Sequence, residues 1–87
     1  MAVAVHIKPT QMSKEDYERV IAELGGSEPD GRRFHAAYGD DDVQIFEVWD
    51  SPEQFNDHND RVIAHLQSVG LGGGLIEMHP LHSNVPD

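Results

Sequence analysis

Residues 43–66 read VQIFEVWDSPEQFNDHNDRVIAHL, a strand that runs into a helix, and the pattern of this stretch decides the fold. In Val43–Trp49 both alternating sides are largely apolar, with Val43, Ile45 and Trp49 on one and Phe46 and Val48 on the other. Successive strand side chains point to opposite faces, so a strand apolar on both belongs mid-sheet with both faces covered. Ser51-Pro52-Glu53-Gln54 then starts a helix: Ser51 caps it, Pro52 takes the first helical position and Gln54 completes a capping box. Phe55, Val62, Leu66 and Val69 share one face of that helix, with Ile63 at the border, and His58 and His65 sit close to the stripe.

Toward the N-terminus, residues 2–8 alternate as a strand, with Val3, Val5 and Ile7 on one face and Ala4, His6 and Lys8 on the other. Pro9 has no N–H to donate and ends the ladder. Ser13 caps a helix, Asp16 puts a negative charge in its first turn, and Met12 can staple against Tyr17. Tyr17, Val20, Ile21 and Leu24 make its apolar stripe, and Gly25 can adopt the conformation that stops it. After a loop at residues 25–31, Arg32–Tyr38 is a strand that joins Val43–Trp49 through Gly39-Asp40-Asp41-Asp42 as a short hairpin. Beyond the second helix, the glycine-rich residues 70–74 lead to a last strand at Leu75–His79. The tail from Pro80 to Asp87 carries no periodicity.

The order β-α-β-β-α-β with right-handed crossovers predicts an α+β, ferredoxin-like split βαβ domain over residues 1–87, with 80–87 as an irregular tail. Its four-stranded antiparallel sheet has strand order 4-1-3-2 and both helices on one face. The other face is then bare although the third strand is apolar on both sides, and a second copy of the same sheet is the economical cover. A homodimer through the sheet face is therefore expected.

Composition narrows the role. Sixteen acidic residues against six basic ones give a formal charge of -10, which repels phosphate backbones and anionic lipid, so no nucleic-acid or membrane partner is expected. There is no cysteine, hence neither disulfide nor thiolate metal site. No apolar run approaches the ~20 residues that cross a bilayer, and the start does not read as a secretory signal, so the expected location is the cytoplasm.

The residues at 47–66, EVWDSPEQFNDHNDRVIAHL, resemble the antibiotic-biosynthesis monooxygenase-like group of the dimeric α+β barrel superfamily. A third strand ending in Glu-x-Trp, a capped helix start, an aromatic residue and a helical histidine correspond here to Glu47, Trp49, Ser51, Glu53, Phe55 and His58. The whole chain is also similar to small actinobacterial proteins of that superfamily. The resemblance implies a dimer built from two sheets and a pocket in each protomer between sheet and helices. For the cofactor-free monooxygenases it implies a bound phenol or anthrone that the pocket deprotonates and dioxygen then oxidises, without any cofactor. The superfamily's heme-degrading branch has a first-strand asparagine, a helical tryptophan and an axial histidine; His6, His58 and Ser68 stand near those places here and do not fit it.

Candidate site residues follow. Histidine accepts and returns a proton near neutrality, so His58 is the candidate catalytic base and His65 a second pocket histidine; structurally, both are border histidines bonded to backbone or water. Trp49 with Tyr38 is a candidate aromatic wall for a planar ligand, or else ordinary core packing. Glu47, a carboxylate inside a doubly covered strand, needs a partner, and His6 on the adjacent first strand is the candidate, for pairing or for ligand binding. His79 and His82 with His6 lack a fixed ligand geometry, so no metal site is expected. The Asp40–Asp42 turn reads as solvated charge, and residues 70–74 precede a strand where a phosphate loop would precede a helix.

The reading is a small-molecule-binding homodimer acting on an aromatic or polyketide-like metabolite by His58-mediated proton abstraction, as in a cofactor-free monooxygenase. Its rivals are an isomerase or cyclase using the same base, and a non-catalytic binding or stress-response module whose histidines are structural.

Overall fold

A computed structural model describes residues 2–25 and 28–82; residue 1, residues 26–27 of the expected loop and residues 83–87 of the expected tail lie outside the described residues. The elements are β1 (Val3–Pro9), α1 (Lys14–Leu24), β2 (Arg32–Tyr38), β3 (Gln44–Trp49), α2 (Pro52–Ser68) and β4 (Gly74–Pro80). The strands form one sheet in the order β2-β3-β1-β4, every neighbouring pair antiparallel, which is the ferredoxin-like α+β arrangement expected.

Register fixes which side chains meet the helices. Val3, Val5 and Ile7 of β1 stand opposite Trp49, Glu47 and Ile45 of β3, so those six share one face. Phe55 of α2 closes on Val3, Val5 and Trp49 to form the core, with Ile7 and Met78 packed against it. The Trp49 and Phe55 rings meet edge to face at 5.7 Å.

Both helices begin where their caps dictate. The Ser13 hydroxyl accepts from Asp16 N at 3.1 Å while Asp16 accepts from Ser13 N, a complete capping box. Ser51 accepts from Gln54 N at 3.3 Å, but the expected second half of that box does not form. The Gln54 side chain takes the Ser51 hydroxyl at 3.0 Å instead, and lies over Gly31, where a Cβ would stand 2.5 Å from it. Packing against the loop wins over the reciprocal cap.

Pro9 is the last residue of β1 and stands opposite Gly74. Gly74 has φ +124, and a Cβ there would come within 2.5 Å of the Lys8 carbonyl oxygen. The close start of β4 on β1 thus requires glycine.

The helix-free face carries Phe34, Tyr38, Phe46 and Leu75, exposed at 51%, 54%, 39% and 67%. Phe34 and Phe46 contact each other edge to face at 6.1 Å. No helix among the described residues is long and apolar enough to cross a membrane.

Candidate active site

A cavity of about 230 Å³ lies between the sheet and the two helices. Aliphatic side chains from every layer wall it, among them Ile7 and Ile45 of the sheet, Val20 of α1 and Val62 of α2. Its polar side chains are Tyr17, Arg32, His35, Glu47, His58, Asn59 and Gln67. A cavity with apolar walls and a few polar groups suits a small molecule of mainly apolar surface.

Glu47 organises the polar groups. It is 4% exposed, and on β3 it stands directly opposite His35 of β2. His35 Nδ1–H donates to Glu47 Oε2 at 2.5 Å, Arg32 Nη1 donates to the same oxygen at 3.2 Å, and Trp49 Nε1 donates to Oε1 at 2.8 Å. A carboxylate only accepts, so the proton in the first contact belongs to Nδ1. The other imidazole nitrogen, Nε2, is 2.5 Å from the Tyr17 hydroxyl, and the two rings are stacked with centroids 6.2 Å apart.

An irregularity in β2 makes this cluster possible. The pairing of β2 with β3 shifts between Arg32 and Phe34, so Arg32 stands opposite Trp49 and on the same face as His35. Arg33 is left to pair with Asp50.

Charge and burial set the protonation states. Burial pushes the Glu47 carboxyl up, but the hydrogen bonds from His35 and Trp49, together with the Arg32 charge, outweigh it and hold the group below the ordinary carboxylate value. Tyr17 is raised by burial first, with Arg32 lowering and Glu47 raising it further, so it remains a phenol. His58 is lowered, by burial first and then by the Arg32 charge, against an opposing pull from Glu47. Its ring lies 5.4 Å from that of Trp49.

The residues picked out by sequence are thus divided between two faces. His58 and Glu47 line the cavity, whereas Trp49, 0% exposed, lies in the core behind Phe55 and His58 rather than in the wall. His6 is not the partner of Glu47. Val5 stands opposite Glu47, and His6, one position along, points to the helix-free face, where it bonds Gln44 at 3.0 Å. Tyr38 lies on that same face, its hydroxyl 3.1 Å from Gln44 Oε1, and forms no wall with Trp49. His65 is outside the cavity and bonds Glu23 of α1 at 2.9 Å. Among the described residues no three potential metal ligands gather. Sequence reasoning missed Tyr17, Arg32 and His35. The signal available was the buried carboxylate itself, because an antiparallel hairpin places a β2 residue directly opposite it.

No protein-family model and no curated protein matches the sequence. Solved structures match it in shape. A variant of SnoaB, a cofactor-independent oxygenase from Streptomyces nogalater, is 14% identical over 99% of this chain and 97% of that one, with a TM-score of 0.65. A candidate antibiotic biosynthesis monooxygenase from Chloroflexus aurantiacus is 20% identical over 97% of each chain, TM-score 0.65. Rv0793 from Mycobacterium tuberculosis is 15% identical over 97% of this chain and 96% of that chain, TM-score 0.64. At such identities the likeness is one of architecture: along nearly its full length, the chain has the fold of the antibiotic-biosynthesis monooxygenase-like proteins.

Proposed function

We propose that the protein binds a small, largely apolar metabolite with an acidic or enolisable group, and removes a proton from it so that dioxygen can oxidise the anion without a cofactor. The observation that carries this reading is the cavity itself, in which proton-handling side chains converge under aliphatic walls. The cofactor-independent oxygenase among the structures of the same fold supports the reaction class. His58 is the proposed base. The lowered proton affinity that burial and Arg32 impose keeps its imidazole neutral at pH 7, the state in which it can accept a proton.

The assembly proposed is a homodimer through the helix-free sheet face. Phe34, Phe46 and Leu75 are large apolar side chains exposed there, and a second copy of the sheet would bury them.

Conversion of dithranol and related anthrones and naphthols by purified protein, followed as dioxygen consumption, tests the reading. The wild type is expected to turn over at least one of them, and His58→Ala is expected to fold normally and lose that conversion. A wild type that converts none, but whose melting temperature rises with one of these compounds, would support a binding module without turnover.

A further inference from the structure

The cavity contains a second set of proton-handling groups, and they are bonded in series. Tyr17 from α1, His35 from β2 and Glu47 from β3 are joined by two contacts of 2.5 Å, Tyr17 Oη to His35 Nε2 and His35 Nδ1 to Glu47 Oε2. All three line the cavity. We propose that they form a proton relay whose working end is the Tyr17 hydroxyl, giving the bound molecule a proton acceptor on the α1 side in addition to His58 on α2. The inference rests on the proton-abstraction reading above.

The bonding pattern dictates the direction. Glu47 accepts only, so Nδ1 carries the proton it receives, and in the neutral imidazole Nε2 is then a lone pair. Tyr17 remains a phenol, so its O–H donates to that lone pair, and the phenol oxygen keeps its own lone pairs for the cavity. As a substrate O–H or C–H bond breaks, its proton joins Tyr17 Oη and the Tyr17 proton passes to His35 Nε2. The electron pair stays on the substrate as an anion, and His35 becomes an imidazolium beside the Glu47 carboxylate. The reverse transfer returns the proton to the product, so the relay needs no oxidant or other co-reactant.

The surrounding residues hold the relay in place. Trp49 and Arg32 also donate to Glu47, at 2.8 and 3.2 Å, and fix the carboxylate against His35. Two proton-handling groups at different places can serve two different atoms of an enolisable molecule. His58 and Tyr17, on different helices, supply two. Tyr17 is the catalytic residue of the relay; His35 and Glu47 act through it.

The test reads the protein itself and then its turnover. In ¹⁵N-labelled wild type at pH 7, imidazole nitrogen spectra are expected to show His35 protonated on Nδ1, with Nε2 an acceptor. Tyr17→Phe should move the Nε2 resonance alone, and Glu47→Gln should mix the two tautomers. With dithranol, Tyr17→Phe should lower kcat on the order of a hundredfold with little change in KM. A proton on His35 Nε2 in the wild type, or a Tyr17→Phe variant with wild-type kcat, would overturn the relay. If the wild type leaves dithranol and the whole panel unconverted, it is the oxygenation reading that falls, and the tautomer result still decides the relay.

Discussion

Trp49 Nε1 donates to Glu47 Oε1 at 2.8 Å, a bond between two residues of one strand that are next neighbours on the same face. Residues two apart in a strand share a face. The indole therefore caps the carboxylate from within β3, leaving its other oxygen for the side chains of β2. The tryptophan that anchors the core thereby also orients the one buried charged residue among the described residues.

Replacing Glu47 by Gln should therefore be costly although the shape is kept. Arg32, its side chain 13% exposed, would lose the carboxylate it faces. A loss of about 3 kcal/mol is expected, as for other broken buried pairs, and urea denaturation measures it. The pH dependence has a defined sign. The Glu47 carboxyl is held below its ordinary value in the folded state. Its stabilisation is complete above the unfolded value of about 4.3 and is lost as pH falls through the lower folded one. Glu47→Gln should flatten the stability curve in that acid window.

His58 should give a second slope at higher pH. Its proton affinity is lowered on folding, so the unfolded chain takes up that proton first as pH drops below about 6.5. Wild-type melting temperature should fall from there toward the folded-state value, and His58→Gln should remove that part of the fall. An imidazole NMR titration with a midpoint at or above about 6.5 in the folded protein would contradict the sign.

Phe55→Ala should remove a large part of the folding stability. Phe55 is 2% exposed and packs on Trp49. Truncating such a phenylalanine costs about 3–5 kcal/mol, against a total of roughly 4–13 kcal/mol for a chain of this length. Circular dichroism at 25 °C with a thermal melt reads the loss directly.

Phe46→Glu tests the sheet face. Phe46 is 39% exposed on the helix-free side and touches Phe34, so a charge there should disturb little within one protomer. Sedimentation velocity should show a dimeric wild type and a monomeric, folded variant. A wild type that sediments as a monomer at micromolar concentration would remove the proposed assembly.

Local patterns carried most of the fold. Alternation located every strand to within a residue or so: Arg32–Tyr38 ends as expected at both ends, and the last strand extends from Leu75–His79 to Gly74–Pro80. Ser13 and Ser51 mark the helix starts because capping is a property of a few adjacent residues. The cavity was less legible, because it depends on register and on an irregularity that periodicity does not reveal. The alternation already put His6 on the face away from Val5, but only the pairing of Val5 with Glu47 shows that this excludes His6 from the carboxylate. Arg32 and His35 are three apart, an odd spacing that in a regular strand puts them on opposite faces. Their meeting at Glu47 requires the shift in pairing, for which the sequence RRFHAAY carries no clear mark.

That shift gives the protein an unusual sensitivity to counting. Removing Arg33 alone would restore strict two-residue parity and shorten the path from Arg32 to His35 by one step. Arg32 and His35 would then stand two apart on one face of a regular strand, and the bulge would no longer be needed to bring both to Glu47. The number of residues between Arg32 and His35, together with the identity of those two, tunes the electrostatic heart of the molecule.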